Sequence, residues 1–351
     1  MKYTVVGLMS GTSLDGLDMA CCEFGKEKGK WKFKVLATET LSYENKWLNL
    51  LQESYQKDNK DLDKIDKSYA ELLANATLGF IKQNQLKPDF VASHGHTVFH
   101  QPQKGFTKQI GNGNTMASIL KVPVVFDFRS LDVSMGGQGA PLVPIGDKWL
   151  FSDYDFCLNL GGFANVSFEV DGIRFAYDIC PVNMILNYLS QLSGNKYDKS
   201  GRMAASGQIN DKLLKLLNNI SFYQQKPPKS LSREWFELEF LPIVKGHQIS
   251  NQNLLRTVTE HIATQISNVF NSTQASKVLM TGGGTYNSFL VKRIRALSRA
   301  KMVIPQPEII DFKEAIIFAF LGILRMRNEV NCLCSVTGAS KDCSGGQIAM
   351  P

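Results

Sequence analysis

The sequence predicts an α/β protein of two lobes, each a mixed sheet with helices. A strand, glycine turn, strand, short turn, strand pattern occurs twice, opening at Tyr3 and at Asp155, about 150 residues apart, and helical periodicity follows each copy. The 351 residues leave room for two cores, at about 100 to 200 residues per domain. Two such lobes facing each other would place both glycine turns in a cleft between them. The expected lobes are 1–131 with 332–351, and 132–331.

The first copy runs YTVVGLM, turn, LDMACCEF, GKEKGK, WKFKVLATETL. Its turn holds Gly11, Thr12, Ser13, Leu14, Asp15 and Gly16, with Asp18 just beyond. Backbone N–H groups, hydroxyls and carboxylates at a strand end suit a phosphate chain with a divalent cation. The plain alternative is a tight Asp-Gly hairpin. The lysine of a Walker loop is absent.

Residues 68–84 have helical spacing, and DFVASHGHTVFH (89–100) reads as a strand ending in a polar loop. VPVVFDFR (122–129) is another strand with charges at its C-terminal end, where ligands collect in α/β sheets. Arg129 is either part of an ion-pair cluster with Asp127 and Asp132 or a fork for a ligand carboxylate or phosphate. His94, His96 and His100 lack a third-ligand pattern for zinc and read as a polar substrate loop. GGQGAPLVP (136–144) is a rigid loop marking the passage into the second lobe.

The second copy runs DFCLNL, a turn with Gly161 and Gly162, NVSFEV, Asp171-Gly172 and IRFAYDI, then a helix near 184–192. Gly161, Gly162 and Asn165 occupy the place of the first turn, as a second ligand turn or only as a bulge between strands. Asp178 stands at a strand end, as a general base or as a helix N-cap. Residues 277–297 read as strand, triple glycine, helix. There Gly282, Gly283 and Gly284 either admit a nucleotide at a helix N-terminus or serve close helix–strand packing. Glu314 is expected as a carboxylate at the N-terminus of an apolar helix.

Thirty-nine Lys and Arg stand against 32 Asp and Glu, a net charge of +7. The excess suits an anionic ligand such as a nucleotide, and the absence of a dense basic run argues against a dedicated nucleic-acid binder. Seven cysteines in a chain of this length are no disulfide framework, and Cys332, Cys334 and Cys343 make no complete CxxC pair. The N-terminus has no apolar signal region, and the apolar stretch 315–324 falls short of the ~20 residues that span a bilayer. A cytoplasmic, soluble protein with no membrane partner is expected.

Ten pieces in order, GLMSGTSLDGLD, SHGHTVFHQP, QIGNGN, DFRSLDVSMGGQGAPLVP, NLGGFANVS, the Asp178 segment, KSLSREWF, MTGGGTYN, KEAIIFAF and SVTGAS, carry a resemblance. Together they resemble the anhydro-N-acetylmuramic acid kinases, of the superfamily of sugar kinases, actin and heat-shock chaperones. The resemblance implies a two-lobed, duplicated ribonuclease H-like (actin/hexokinase-type) fold with a central interlobe cleft. It implies an ATP- and Mg2+-dependent enzyme of cell-wall recycling. Such an enzyme opens the 1,6-anhydro ring of the amino sugar with water and phosphorylates O6, giving N-acetylmuramate 6-phosphate.

By that resemblance Asp178 is the catalytic base. Gly11 to Gly16 and Asp18 hold the phosphates, with Asp15 and Asp18 on Mg2+, directly or through water. Gly161, Gly162 and Asn165 approach the phosphates from the other lobe, and Gly282 to Gly284 border the adenosine. His96, Arg129 and Glu314 line the sugar pocket, and the family's members suggest a homodimer. Where the family has DTGPGN, this chain has Asp178, Ile179, Cys180, Pro181, Val182 and Asn183, so the loop is expected to differ locally. The alternatives are a phosphohydrolase of the same fold and a nucleotide-binding regulator with altered catalysis.

Overall fold

The computed structural model describes every residue except Met1, Thr12, Ser13, Asp15 and Gln274. The chain forms two compact units, Met1–Leu150 with Phe312–Pro351, and Phe151–Asp311. Residues 132–150 and 312–331, which the sequence placed with the second lobe, pack with the first unit. Their packing explains this. Gly146 lies against Ile317, and Lys313 pairs with Asp147 at 2.7 Å, both side chains almost fully buried.

The strands are β1 (Lys2–Ser10), β2 (Leu17–Glu27), β3 (Lys30–Leu41), β4 (Phe90–Ser93), β5 (His96–Gln101), β6 (Phe106–Ile110) and β7 (Val124–Phe126). Then follow β8 (Phe156–Leu160), β9 (Phe163–Val170), β10 (Ile173–Pro181), β11 (Lys277–Thr281), β12 (Lys301–Val303) and β13 (Gln347–Ala349). The sheet of the first unit has the order β13-β7-β4-β1-β2-β3, and that of the second β10-β9-β8-β11-β12. Leaving out β13, both read third, second, first, fourth, fifth. In both, the second strand runs antiparallel to its neighbours, while the fourth runs parallel to the first and the fifth to the fourth. This shared order is the ribonuclease H-like plan, present twice, and it bears out the duplication read from the two meanders.

The middle of β1, Val5 to Gly7, is apolar without alternation because both faces of the sheet are covered. Against one face packs the Asn59–Gln83 helix, through Tyr69, Leu73 and Ala74. Against the other lies the Pro307–Met326 helix, whose Phe320 ring is 5.9 Å from that of Phe24 and 5.1 Å from that of Trp31. Contact there is so close that a Cβ on Gly7 would overlap the Ala315 carbonyl. The helix is 20 residues long, about twice the expected apolar stretch. Among the described residues, no helix is long and apolar enough to cross a membrane.

The core of the second unit joins Leu158, Val166, Ile179 and Met280 of the sheet to Leu255, Val258 and Ile262 of the Asn251–Asn271 helix. These sheets bring the chain's polar turns to strand ends, which is how the fold positions the site residues.

Candidate active site

In the first unit the β1–β2 pair closes at Ser10 opposite Leu17, with Met9 opposite Asp18. Of the six connecting residues, Thr12, Ser13 and Asp15 lie outside the described residues. Leu14 donates its N–H to the Gly11 carbonyl at 3.3 Å, making a turn at the strand end. Asp18 faces Thr40 on β3, whose hydroxyl donates to Asp18 Oδ1 at 2.6 Å.

The polar loop after β4 brings two histidines into the buried interior of this unit. His94 Nε2 accepts from Arg129 Nε at 3.1 Å and from Nη2 at 2.8 Å, while Arg129 Nη1 donates to the Gly139 carbonyl at 2.5 Å. With Nε2 accepting, the neutral ring carries its proton on Nδ1. Burial, then the Arg129 charge, pulls His94 down to about 3, so it stays uncharged. Burial pulls Arg129 below its ordinary value, and Glu314 opposes this. Of the two readings of Arg129, neither the simple ion-pair cluster nor a free fork matches: most of its donors already grip His94 and Gly139.

His96 is buried, its Nδ1 has no hydrogen-bond partner among the described residues, and burial lowers it to about 4. At neutral pH it therefore offers a neutral donor or acceptor. Its ring stands edge-on to Tyr69 at 6.4 Å. Tyr69 in turn shares a 2.7 Å hydrogen bond with Tyr43, whose hydroxyl donates to Ser10 at 2.8 Å. That chain ties His96 to the end of β1. His100 instead faces Thr107 within the β5–β6 hairpin at 3.3 Å.

Glu314 is the eighth residue of its helix, not an N-terminal one, so the helix-dipole reading does not hold. Its side chain reaches solvent yet is ringed by protein. That loss of hydration pushes its carboxyl up, Lys313 and Arg129 oppose, and Asp18 and Asp147 push further. Crowded carboxylates of this kind fit a hard divalent cation, which takes oxygen ligands and offsets their repulsion.

In the second unit, Asn159, Asn165 and Asp178 stand side by side on β8, β9 and β10. Asp178 Oδ2 accepts from the Leu231 N–H at 2.8 Å, and Asp178 N–H donates to the Lys229 carbonyl at 3.2 Å. Burial raises the Asp178 carboxyl above its ordinary value, and the Leu231 N–H opposes the shift. The N-cap alternative does not hold, because the next helix, Asn183–Gln191, starts five residues on with Val182 at its N-cap.

The Gly161-Gly162 turn is roofed by the segment after Asp178. Val182 N–H donates to the Gly162 carbonyl at 2.8 Å and Asn183 N–H to Gly161 at 3.2 Å. Asn183 Nδ2 donates to the Leu160 carbonyl at 3.0 Å. Cys180 and Val182, which replace glycines of the family's motif, are fully buried and neither has positive φ. The larger side chains thus point into the core, a bulge between Asp178 and Cys180 takes up the register, and the loop keeps its polar contacts.

The triple glycine does not open the helix. Gly283–Tyr286 form a short 3-10 turn, and the helix starts at Ser288, capped by Asn287. Gly282 has φ +82°, and a Cβ there would run into the Asn159 side chain and the Leu160 backbone. Gly284 packs on Leu160 and Asn183, while Gly283 has only Asn183 Nδ2 near its Cβ position, at 3.8 Å. Both glycine turns of this unit therefore meet at Leu160 and Asn183.

Leu231, Asn159 and Asn183 were not singled out as site residues by sequence, and His94 was read only as part of a polar substrate loop. Asn183 had a signal, as the surviving last residue of the DTGPGN pattern. Leu231 lies in the matched piece KSLSREWF, but its role is played by a backbone N–H, which residue type does not reveal.

The chain matches the family model described as anhydro-N-acetylmuramic acid kinase over residues 3–351. It is 36% identical to the anhydro-N-acetylmuramic acid kinase of Francisella tularensis subsp. novicida, covering 99% of this chain and 98% of that one. The enzyme of the same name from Mannheimia succiniciproducens is 35% identical, with 99% of each covered. Among solved structures, component A of (R)-2-hydroxyglutaryl-CoA dehydratase from Acidaminococcus fermentans aligns at a TM-score of 0.47 and 11% identity, covering 90% of this chain and 96% of that one. Sequence relationship over the whole length decides the assignment: the chain belongs to the anhydro-N-acetylmuramic acid kinase family.

Proposed function

We propose that this kinase hydrolytically opens 1,6-anhydro-N-acetylmuramic acid and phosphorylates O6 with ATP, giving N-acetylmuramate 6-phosphate and ADP. Family membership supports the reaction class. The observation that carries the chemistry is Asp178, a half-buried carboxylate that lies not at the strand end expected from sequence but inside β10, beside its bulge, raised by burial and fixed by the Leu231 N–H. A raised carboxylate is a stronger base, and a fixed one is aimed. Asp178 takes the proton from the water that attacks the anomeric carbon.

When bound, ATP supplies the phosphoryl group and Mg2+ offsets its charge. Asp18 is the described residue we assign to Mg2+, together with Asp15, three residues before it in sequence. Gly11 to Gly16 in the first unit, and Gly161, Gly162, Asn165 and Gly282 to Gly284 in the second, are assigned to the nucleotide. The open space at Gly283 supports a close backbone approach. His96, Arg129 and Glu314 are assigned to the sugar. His96 offers its unpartnered Nδ1, and Arg129 acts by holding His94 and Gly139 in place. With this assignment goes a proposed role in cytoplasmic wall-sugar recycling, with the chain acting as a homodimer.

The test is mass analysis after incubation with ATP, Mg2+ and the anhydro sugar. The expected product is heavier than the sugar by one water and one phosphoryl group. A product heavier by the phosphoryl group alone contradicts hydrolytic opening.

A further inference from the structure

We propose that Cys332 and Cys343 form a redox modification site, a thiol pair that a peroxide closes into a disulfide. The two residues face each other across an isolated antiparallel bridge. Each donates its N–H to the other's carbonyl at 3.0 Å. A hydrogen-bonded antiparallel pair holds its Cα atoms about 5.5 Å apart, inside the range that a disulfide spans. The two sulfurs and an Asp132 carboxylate oxygen lie within 4.8 Å of one another. Both thiols are free and buried, in the first unit. The facing Cys332 thiol lowers Cys343 from its ordinary value, while Cys343 and burial raise Cys332.

The step balances. Two S–H bonds and the peroxide O–O bond break, and one S–S bond and two O–H bonds form. The thiols lose two electrons and two protons, and the peroxide leaves as two waters.

The pair touches a buried anchor. Asp132 Oδ1 accepts from Thr337 Oγ1 at 2.7 Å and from Cys332 Sγ at 3.2 Å, and Oδ2 accepts from Gly139 N–H at 2.7 Å. Gly139 is also held by Arg129, which grips His94. Disulfide closure removes the Cys332 donor from Asp132 and loosens the Gly139–Arg129–His94 chain. This consequence rests on the sugar-pocket assignment of Arg129, whereas the pair itself does not.

Trypsin separates the two cysteines, cutting after Arg327 and Lys341 and leaving Cys332 and Cys334 on one peptide and Cys343 on the next. After peroxide treatment of the full chain, these two peptides are expected as one disulfide-linked species under non-reducing conditions. The link should survive Cys334→Ser, vanish in Cys343→Ser and reverse with dithiothreitol. Oxidation should raise the sugar KM several-fold in the unaltered chain and leave Cys343→Ser unmoved. Cys332 and Cys343 remaining free to alkylate after peroxide overturns the pair, as does a link that persists in Cys332→Ser. A linked peptide with an unchanged KM overturns the coupling to Asp132. A reduced protein that shows no sugar-dependent turnover refutes the kinase reading instead, and the peptide measurement stands apart from it.

Discussion

The Leu231 N–H donates to Asp178 Oδ2 at 2.8 Å, fixing a carboxylate that burial has already raised. Burial sets the strength of the assigned base, and this one bond aims it and moderates the rise, from a segment 53 residues away in the chain.

Asp178→Asn keeps the shape and an acceptor for Leu231 but cannot take a proton. Turnover is expected to fall by about 10²- to 10⁴-fold, the usual worth of a general base. Nucleotide binding by calorimetry should be unchanged. Near-normal turnover removes Asp178 from the mechanism.

The pH profile follows from the same pair. The base must be ionised, so the acid limb of kcat/KM should lie above the usual aspartate value of about 3.9. Leu231→Pro deletes the donor that favours the ionised form. The acid limb should then move to still higher pH; a move to lower pH contradicts the account.

Arg129→Lys keeps the charge but loses the fork on His94 and Gly139. Hydrogen bonds from a charged group are worth about 1.5–3 kcal/mol, so the sugar KM should rise about 10- to 100-fold. The KM for ATP should hold. Equal losses for both substrates point to general unfolding, which a thermal melt checks.

Gly282→Ala forces a left-handed backbone on a residue with a Cβ, at roughly 1–3 kcal/mol before any clash with Asn159. Denaturant unfolding should show that loss. Gly283→Ala has room and should fold normally, yet weaken nucleotide binding. Unchanged nucleotide affinity in Gly283→Ala counts against a backbone approach there.

His94 and His261 are both held down to about 3 by burial, against about 6.5 in the unfolded chain. Between those values the unfolded state binds more protons, so stability is present above about 6.5 and is lost as pH falls toward 3. His261 also bonds Asn218 and Tyr223 at 2.7 and 3.0 Å. The melting temperature should fall steadily from pH 7 to pH 4, with a shallower slope in His261→Gln.

Much of the fold was legible because each three-stranded meander is local, with turns and alternation that a single stretch of sequence displays. The unit boundary was not, since it depends on where the Pro307–Met326 helix packs. Gly7 and Gly146 admit that helix only in three dimensions. Glu314 was misread for the same reason, because the helix begins seven residues before Glu314. The sequence showed Cys180 and Val182 in place of glycines but not their negative φ angles, which let the loop keep its contacts. Arg129 was seen as a candidate, while its commitment to His94 lay 35 residues away and outside any local pattern.

Release of ADP with and without anhydro-N-acetylmuramic acid, in the unaltered chain and in Asp178→Asn, tests the central claim most directly. The account predicts ADP release only when the sugar is present, and its loss in Asp178→Asn. ADP release at the same rate without sugar would mean a hydrolase, and none under either condition a regulator; either result contradicts the account.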